Sequence, residues 1–243
     1  MFNPEIVLGP PGTGKTTRLI DEVNTYLKDG VEPHSIGYLA FTRKAANEAV
    51  TRSCERFSLS KRQLPHFRTL HSLAFKMLGL TKNEVLSKPS IQEFGSIMGL
   101  RITGSVSLDE GHVYGNLPGD RALFLCNMAR MKCVSLEEQW RETPEGLTWF
   151  EVERVFDGLE KFKKERGLID FTDMLDNFIA QDIVPQFKLL VVDEAQDLSQ
   201  MQWKMVEALD KHSSRTIVAG DDDQAIFRWA GADVNHFVDM PGK

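Results

Sequence analysis

Short apolar runs, each closing on glycine or a carboxylate, alternate along this chain with longer segments of helical spacing. Glu5–Leu8 runs apolar into Gly9 and predicts a buried strand. Lys15–Lys28 sets Leu19, Ile20, Val23 and Leu27 on one helical face, with Gly30 as a stop. Ser35–Phe41 predicts a second strand, and Arg43–Phe57 a helix with the small step Ala45, Ala46, Ala49. After an interval, Leu189–Asp193 is an apolar strand ending in a carboxylate, Ser199–Leu209 a helix, and Thr216–Ala219 another buried strand. Strands that alternate with helices in this way predict an α/β fold with a parallel sheet.

Between about Gly79 and Arg166 the pattern changes. Gly, Pro and Asn punctuate Gly99–Asp120, and the remainder has helical spacing. The expectation is a mainly helical subdomain, 79–166, inserted between two parts of the sheet domain, 1–78 and 167–243. There is no internal repeat and no low-complexity tract.

Composition adds little to this picture except in its distribution. The chain has 243 residues, 42% hydrophobic and 26% charged, as expected of a globular protein with a core. No apolar run has the roughly 18 residues of a membrane span, and the N-terminus lacks a signal-peptide pattern, so the expected compartment is the cytoplasm. Cys54, Cys126 and Cys133 form no CxxC pair, which argues against a zinc site or a disulfide framework. The net charge of −6 speaks against a nucleic-acid binder, but 43–76 carries eight Lys/Arg against two Glu, a local excess of six positive charges.

The chemistry concentrates at the predicted strand ends. Gly9-Pro10-Pro11-Gly12-Thr13-Gly14-Lys15-Thr16 fits G-x-x-x-x-G-K-[ST], with a strand before it and a helix after it. Small residues let the backbone curl its N–H groups toward phosphate oxygens, and the helix N-terminus adds partial positive charge. Lys15 is then expected to reach the β and γ phosphates of a nucleotide, and Thr16 to ligate Mg²⁺. Asp193-Glu194 closes an apolar strand: Asp193 is the second candidate Mg²⁺ ligand, and Glu194 the candidate general base for an attacking water. Gln224, in Gly220-Asp221-Asp222-Asp223-Gln224, is placed to sense the γ-phosphate or orient water. In an open parallel sheet, ligands bind beyond the carboxyl ends of the strands, where all three segments fall.

These segments together resemble the UvrD/Rep/PcrA group of superfamily 1 helicases. Gly9–Thr16 resembles motif I, Leu39–Ala46 motif Ia, Arg68–Ala74 motif Ib, Val192–Asp197 motif II and Gly220–Trp229 motif III. Ile169–Leu175 resembles the I/V-D-F-x-x-L-L element that follows the family's 1B insertion. The resemblance implies a RecA-like P-loop core interrupted by a helical 1B subdomain. It implies an ATP-hydrolysing motor acting on single-stranded DNA with ATP and Mg²⁺. Phe41, Thr42, Arg43 and His71 would line the DNA path, and Phe227 and Trp229 would offer rings to bases. The 43–76 charge would form a wall of that path. Thr17 and Arg18 extend the expected nucleotide contacts, Arg18 as a weak candidate.

The pattern also departs from the family's. Eight residues precede Gly9, and the adenine-contacting Q motif is not among them. Ala230 follows Trp229 where the family often has arginine. Motifs IV to VI, which belong to a second RecA-like domain, do not occur by Lys243, so that domain is expected downstream or on a partner, and this chain alone is not expected to unwind a duplex. An ATP-binding switch or accessory subunit without unwinding activity remains the alternative. A nucleotide kinase is argued against by motif III.

Overall fold

The computed structural model describes residues 2–10, 12–103, 115–221, 232, 233 and 237. Its centre is a five-stranded sheet in the order β1-β5-β4-β2-β3, with every pairing parallel. The strands are β1 (Glu5–Leu8), β2 (Ile36–Ala40), β3 (Phe67–Thr69), β4 (Leu189–Asp193) and β5 (Thr216–Gly220). The nine α-helices among the described residues are α1 (Lys15–Lys28), α2 (Arg43–Phe57), α3 (Leu70–Met77), α4 (Lys88–Met98), α5 (Pro118–Met131), α6 (Leu136–Glu142), α7 (Trp149–Arg166), α8 (Phe171–Gln181) and α9 (Gln200–Asp210).

Residues of β2, β4 and β5 are buried throughout, as in a sheet covered on both faces. Successive side chains of a strand point to opposite faces, and the core divides accordingly. Ile36, Tyr38, Leu189, Val191, Ile217 and Ala219 pack with Leu19, Ile20 and Val23 of α1 and Ala49 and Val50 of α2. Leu39, Leu190, Val192 and Val218 face the other way, toward α3, α8 and α9, where Trp203 is fully buried. The short strand β3 was not foreseen. It is three residues long, too short for a periodic signal, and exists because Phe67 and Thr69 register against Tyr38 and Ala40.

Helices α4, α5 and α7 surround a third apolar cluster that includes Phe94, Leu125, Val152, Val155 and Phe162. A polar network ties this helical segment to the sheet layer. Lys163 of α7, 3% exposed, places Nζ 2.7 Å from carboxylate oxygens of Glu160, Asp170 and Asp173. Arg130 of α5 joins at 2.7 Å from Asp170 Oδ2 and also pairs with Asp173. Asp170 caps α8 reciprocally with Asp173, so the ion cluster begins where the sheet layer resumes.

Because all strands run parallel, their carboxyl ends share one edge. That edge carries the starts of α1, α2 and α3, the turn after β4 and the end of β5. No helix among the described residues is long and apolar enough to cross a membrane.

Candidate functional site

The loop after β1 is tied to the neighbouring strand by the Gly9 N–H, which donates to the Gly220 carbonyl at 3.3 Å. It then turns through Gly12 (φ 75°) and Gly14 (φ 86°), left-handed conformations that a side chain would strain. Gly14 is the N-cap of α1 and supplies no side-chain cap, so the first N–H groups of the helix are left for another acceptor. Thr13 Oγ1 donates to the Pro10 carbonyl at 2.6 Å and shapes the loop from within. Lys15 folds its ammonium onto the Gly9 carbonyl, across the mouth of the loop.

Thr16, in the first turn of α1, meets the end of β4. Its Oγ1 lies 3.4 Å from Asp193 Oδ2, although 177 residues separate the two. Asp193 is 3% exposed. Burial raises its carboxyl above the ordinary range, against the opposing effect of the Tyr38 hydrogen bond. Its Oδ1 accepts the Glu194 N–H at 3.0 Å, and its Oδ2 accepts the Tyr38 hydroxyl at 2.6 Å. A hydroxyl and a buried, incompletely compensated carboxylate are hard oxygen donors of the kind that suit a divalent cation such as Mg²⁺.

Glu194 takes a left-handed backbone conformation (φ 56°), which turns the chain sharply off the strand. Its Oε2 accepts from Gln196 Nε2 at 2.7 Å, and Gln196 Oε1 in turn accepts the Asp221 N–H at 3.0 Å. Gly220 makes this possible, because a Cβ there would stand 2.7 Å from Gln196 Oε1. Asp197 lies on the same turn, and Gln196 Nε2 also approaches its Oδ2 at 3.2 Å. Burial, and then the Glu194 charge, push the Asp197 carboxyl up to about 7.

Residues 2–243 match the UvrD/REP helicase N-terminal domain family. The chain belongs to that family. Among curated relatives, DNA helicase II of Escherichia coli (strain K12) is 26% identical over 98% of this chain and 34% of its own length. ATP-dependent DNA helicase PcrA of Leuconostoc citreum is 27% identical over 98% of this chain and 33% of its own. ATP-dependent DNA helicase Rep of Buchnera aphidicola is 23% identical over 98% and 36%. The chain thus spans about a third of the length of these relatives.

Within this helicase N-terminal domain, the residues singled out from sequence fall in two groups along the strand edge. Gly9, Pro10, Gly12, Thr13, Gly14, Lys15, Thr16, Asp193 and Glu194 gather at the ends of β1 and β4. Thr17 and Arg18 are exposed on α1, with Arg18 3.5 Å from Glu5. The second group lies toward β2 and β3. Thr42 caps α2 by accepting the Ala45 N–H at 3.1 Å, and Arg43 follows it into solvent. His71 is 5% exposed, with its ring edge-to-face on Phe171 at 5.6 Å. Arg43 and His71 border one cleft of about 350 Å³, together with Thr69, Phe75, Phe171 and Met174. Phe41 is packed in the core, 7% exposed. Pro11, Gln224, Phe227 and Trp229 lie outside the described residues.

Three further residues carry the geometry and had been given no role from sequence: Tyr38, Gln196 and Asp197. Tyr38 did leave a signal. It is the one side chain with a polar atom in Ile36–Ala40, and a buried hydroxyl needs a partner. Gln196 and Asp197 fall within the Val192–Asp197 segment that resembles motif II, but nothing along the chain marks the bond of Gln196 to the Asp221 N–H at the end of β5.

Proposed function

We propose that this chain is an ATP-hydrolysing motor domain of a DNA helicase or translocase that tracks along single-stranded DNA. The observation that carries the reading is the meeting of Thr16 and Asp193 at the mouth of the P-loop, with Glu194 held beside them by Gln196. That arrangement provides a phosphate cradle, a cation-binding pair and a base on one sheet edge. The relatives' names, ATP-dependent DNA helicase among them, agree with it.

In this reading the loop N–H groups and Lys15 hold the phosphates, and Thr16 with Asp193 hold Mg²⁺. When bound, the cation would neutralise charge on the β and γ phosphates. Glu194 accepts a proton from the attacking water. The cleft bordered by Arg43 and His71 lies on the same edge, next to the positively charged side chains of Arg68 and Lys82, and takes the DNA strand. Phe227 and Trp229 would add stacking, worth about 1–3 kcal/mol per base. Residues 79–166 form the inserted subdomain, and a second motor domain, from the same parent chain or a partner, completes the machine.

The test combines nucleotide and DNA binding. ADP with Mg²⁺ should bind to the parent and be lost in Lys15→Ala. A single-stranded oligonucleotide should bind with an affinity that falls steeply with salt and weakens in Arg43→Ala. Equal nucleotide affinity for the parent and Lys15→Ala would sink the motor reading. Nucleotide binding without any salt-dependent DNA binding would favour an ATP-binding switch.

A further inference from the structure

We propose that Tyr38 is a positioning residue for the Asp193 carboxylate and sets how tightly a divalent cation is held at the P-loop. The inference rests on the reading of Thr16 and Asp193 as the cation-binding pair. Tyr38 is fully buried in β2, and its ring stacks on Phe67 with centroids 5.4 Å apart and planes 22° apart. In the sheet it registers against Val191, while Asp193 registers against Ala40, two residues nearer the functional edge. The long side chain spans that offset, so its hydroxyl arrives 2.6 Å from Asp193 Oδ2.

Three donors then define the carboxylate plane: the Glu194 N–H on Oδ1, and the hydroxyls of Tyr38 and Thr16 on Oδ2. They differ in stiffness. Glu194 lies on a turn, and Thr16 lies 3.4 Å away at a helix start. The Tyr38 hydroxyl alone is delivered by a ring clamped inside the sheet core. The other side chains of β2, Ile36, Leu39 and Ala40, are apolar. A phenyl ring would fill the same space, so packing does not require the hydroxyl, and a buried hydroxyl is costly unless bonded. Donors to a metal-binding carboxylate orient it, and their loss typically weakens metal affinity or activity by about 10–100-fold.

Tyr38→Phe removes one oxygen and keeps the ring. Tyr38→Met, which keeps bulk without the hydroxyl, serves as a second variant. ADP binding is measured by calorimetry without metal and across a Mg²⁺ titration, and Mn²⁺ bound with ADP is followed by electron paramagnetic resonance. Both variants should bind ADP as the parent does without metal, need about tenfold more Mg²⁺ for half-maximal enhancement, and broaden the Mn²⁺ signal. A Mg²⁺ dependence and Mn²⁺ spectrum identical to the parent's, in a protein where Thr16→Val shifts both, would overturn the proposal and leave Tyr38 a core residue. A parent whose nucleotide binding is indifferent to Mg²⁺ would remove the cation-site reading, and the role of Tyr38 with it.

Discussion

Gln196 bridges Glu194 to the end of β5: its Nε2 donates to Glu194 Oε2 at 2.7 Å while its Oε1 accepts the Asp221 N–H at 3.0 Å. The carboxylate assigned as base is therefore aimed by an amide anchored on a different strand. A positioned general base contributes about 10²–10⁴-fold, and a loose one recovers only part of this. Gln196→Leu should lower single-turnover ATP hydrolysis by about tenfold or more with ATP affinity nearly unchanged. A hydrolysis rate equal to the parent's would show that Glu194 is oriented by something else.

Glu194→Gln separates binding from chemistry more sharply. Asp193 and Thr16 keep their contacts in that variant, so nucleotide should bind as before while turnover falls by about 10²-fold or more. Rapid-quench measurement of phosphate release decides it, and a parental rate would exclude Glu194 as the base.

Asp197 makes a pH prediction. Burial and the Glu194 charge place its carboxyl at about 7, whereas an unfolded Asp titrates near about 3.9. The folded protein holds this proton more tightly than the unfolded chain. The penalty is thus absent at low pH, grows as pH rises from about 4 to 7, and is complete above that. Asp197→Asn should stabilise the protein at pH 8 by on the order of 1–3 kcal/mol and change little at pH 4. Urea unfolding at the two pH values tests this; an equal effect at both would mean that ionisation of Asp197 does not matter.

The Lys163 cluster predicts stability in the opposite sense. Burial works to raise Asp170, but Arg130 and Lys163 outweigh it and hold the carboxyl below its usual range. That contribution is present above the ordinary carboxylate pKa and is lost as pH falls through the depressed one. Lys163→Met leaves Asp170 and Asp173 to Arg130 alone and should cost about 3 kcal/mol, as expected when one partner of a buried ionic group is removed. Chemical denaturation at neutral pH measures it, and a loss under about 0.5 kcal/mol would mean that the network contributes nothing net.

Much of this protein was legible along the chain because its signals are local. Lys15–Lys28, Arg43–Phe57 and Leu189–Asp193 begin and end where periodicity and stop residues placed them, since capping, helical spacing and continuous apolar burial act over neighbouring residues. The glycines of Gly9–Thr16 announce a phosphate-type loop for the same reason: their backbone conformations are a local requirement. The order of strands is not local. It took the folded sheet to insert β5 between β1 and β4, to create β3 from three residues, and to bring Thr16 to Asp193. The residues that orient the site are decided at this level too. Tyr38 reaches Asp193 because of a two-residue offset between paired strands, and Gln196 reaches Asp221 because Gly220 leaves room. A hydrogen bond between distant residues has no period and no spacing in sequence; its partners are chosen only when the sheet aligns its strand ends on one edge.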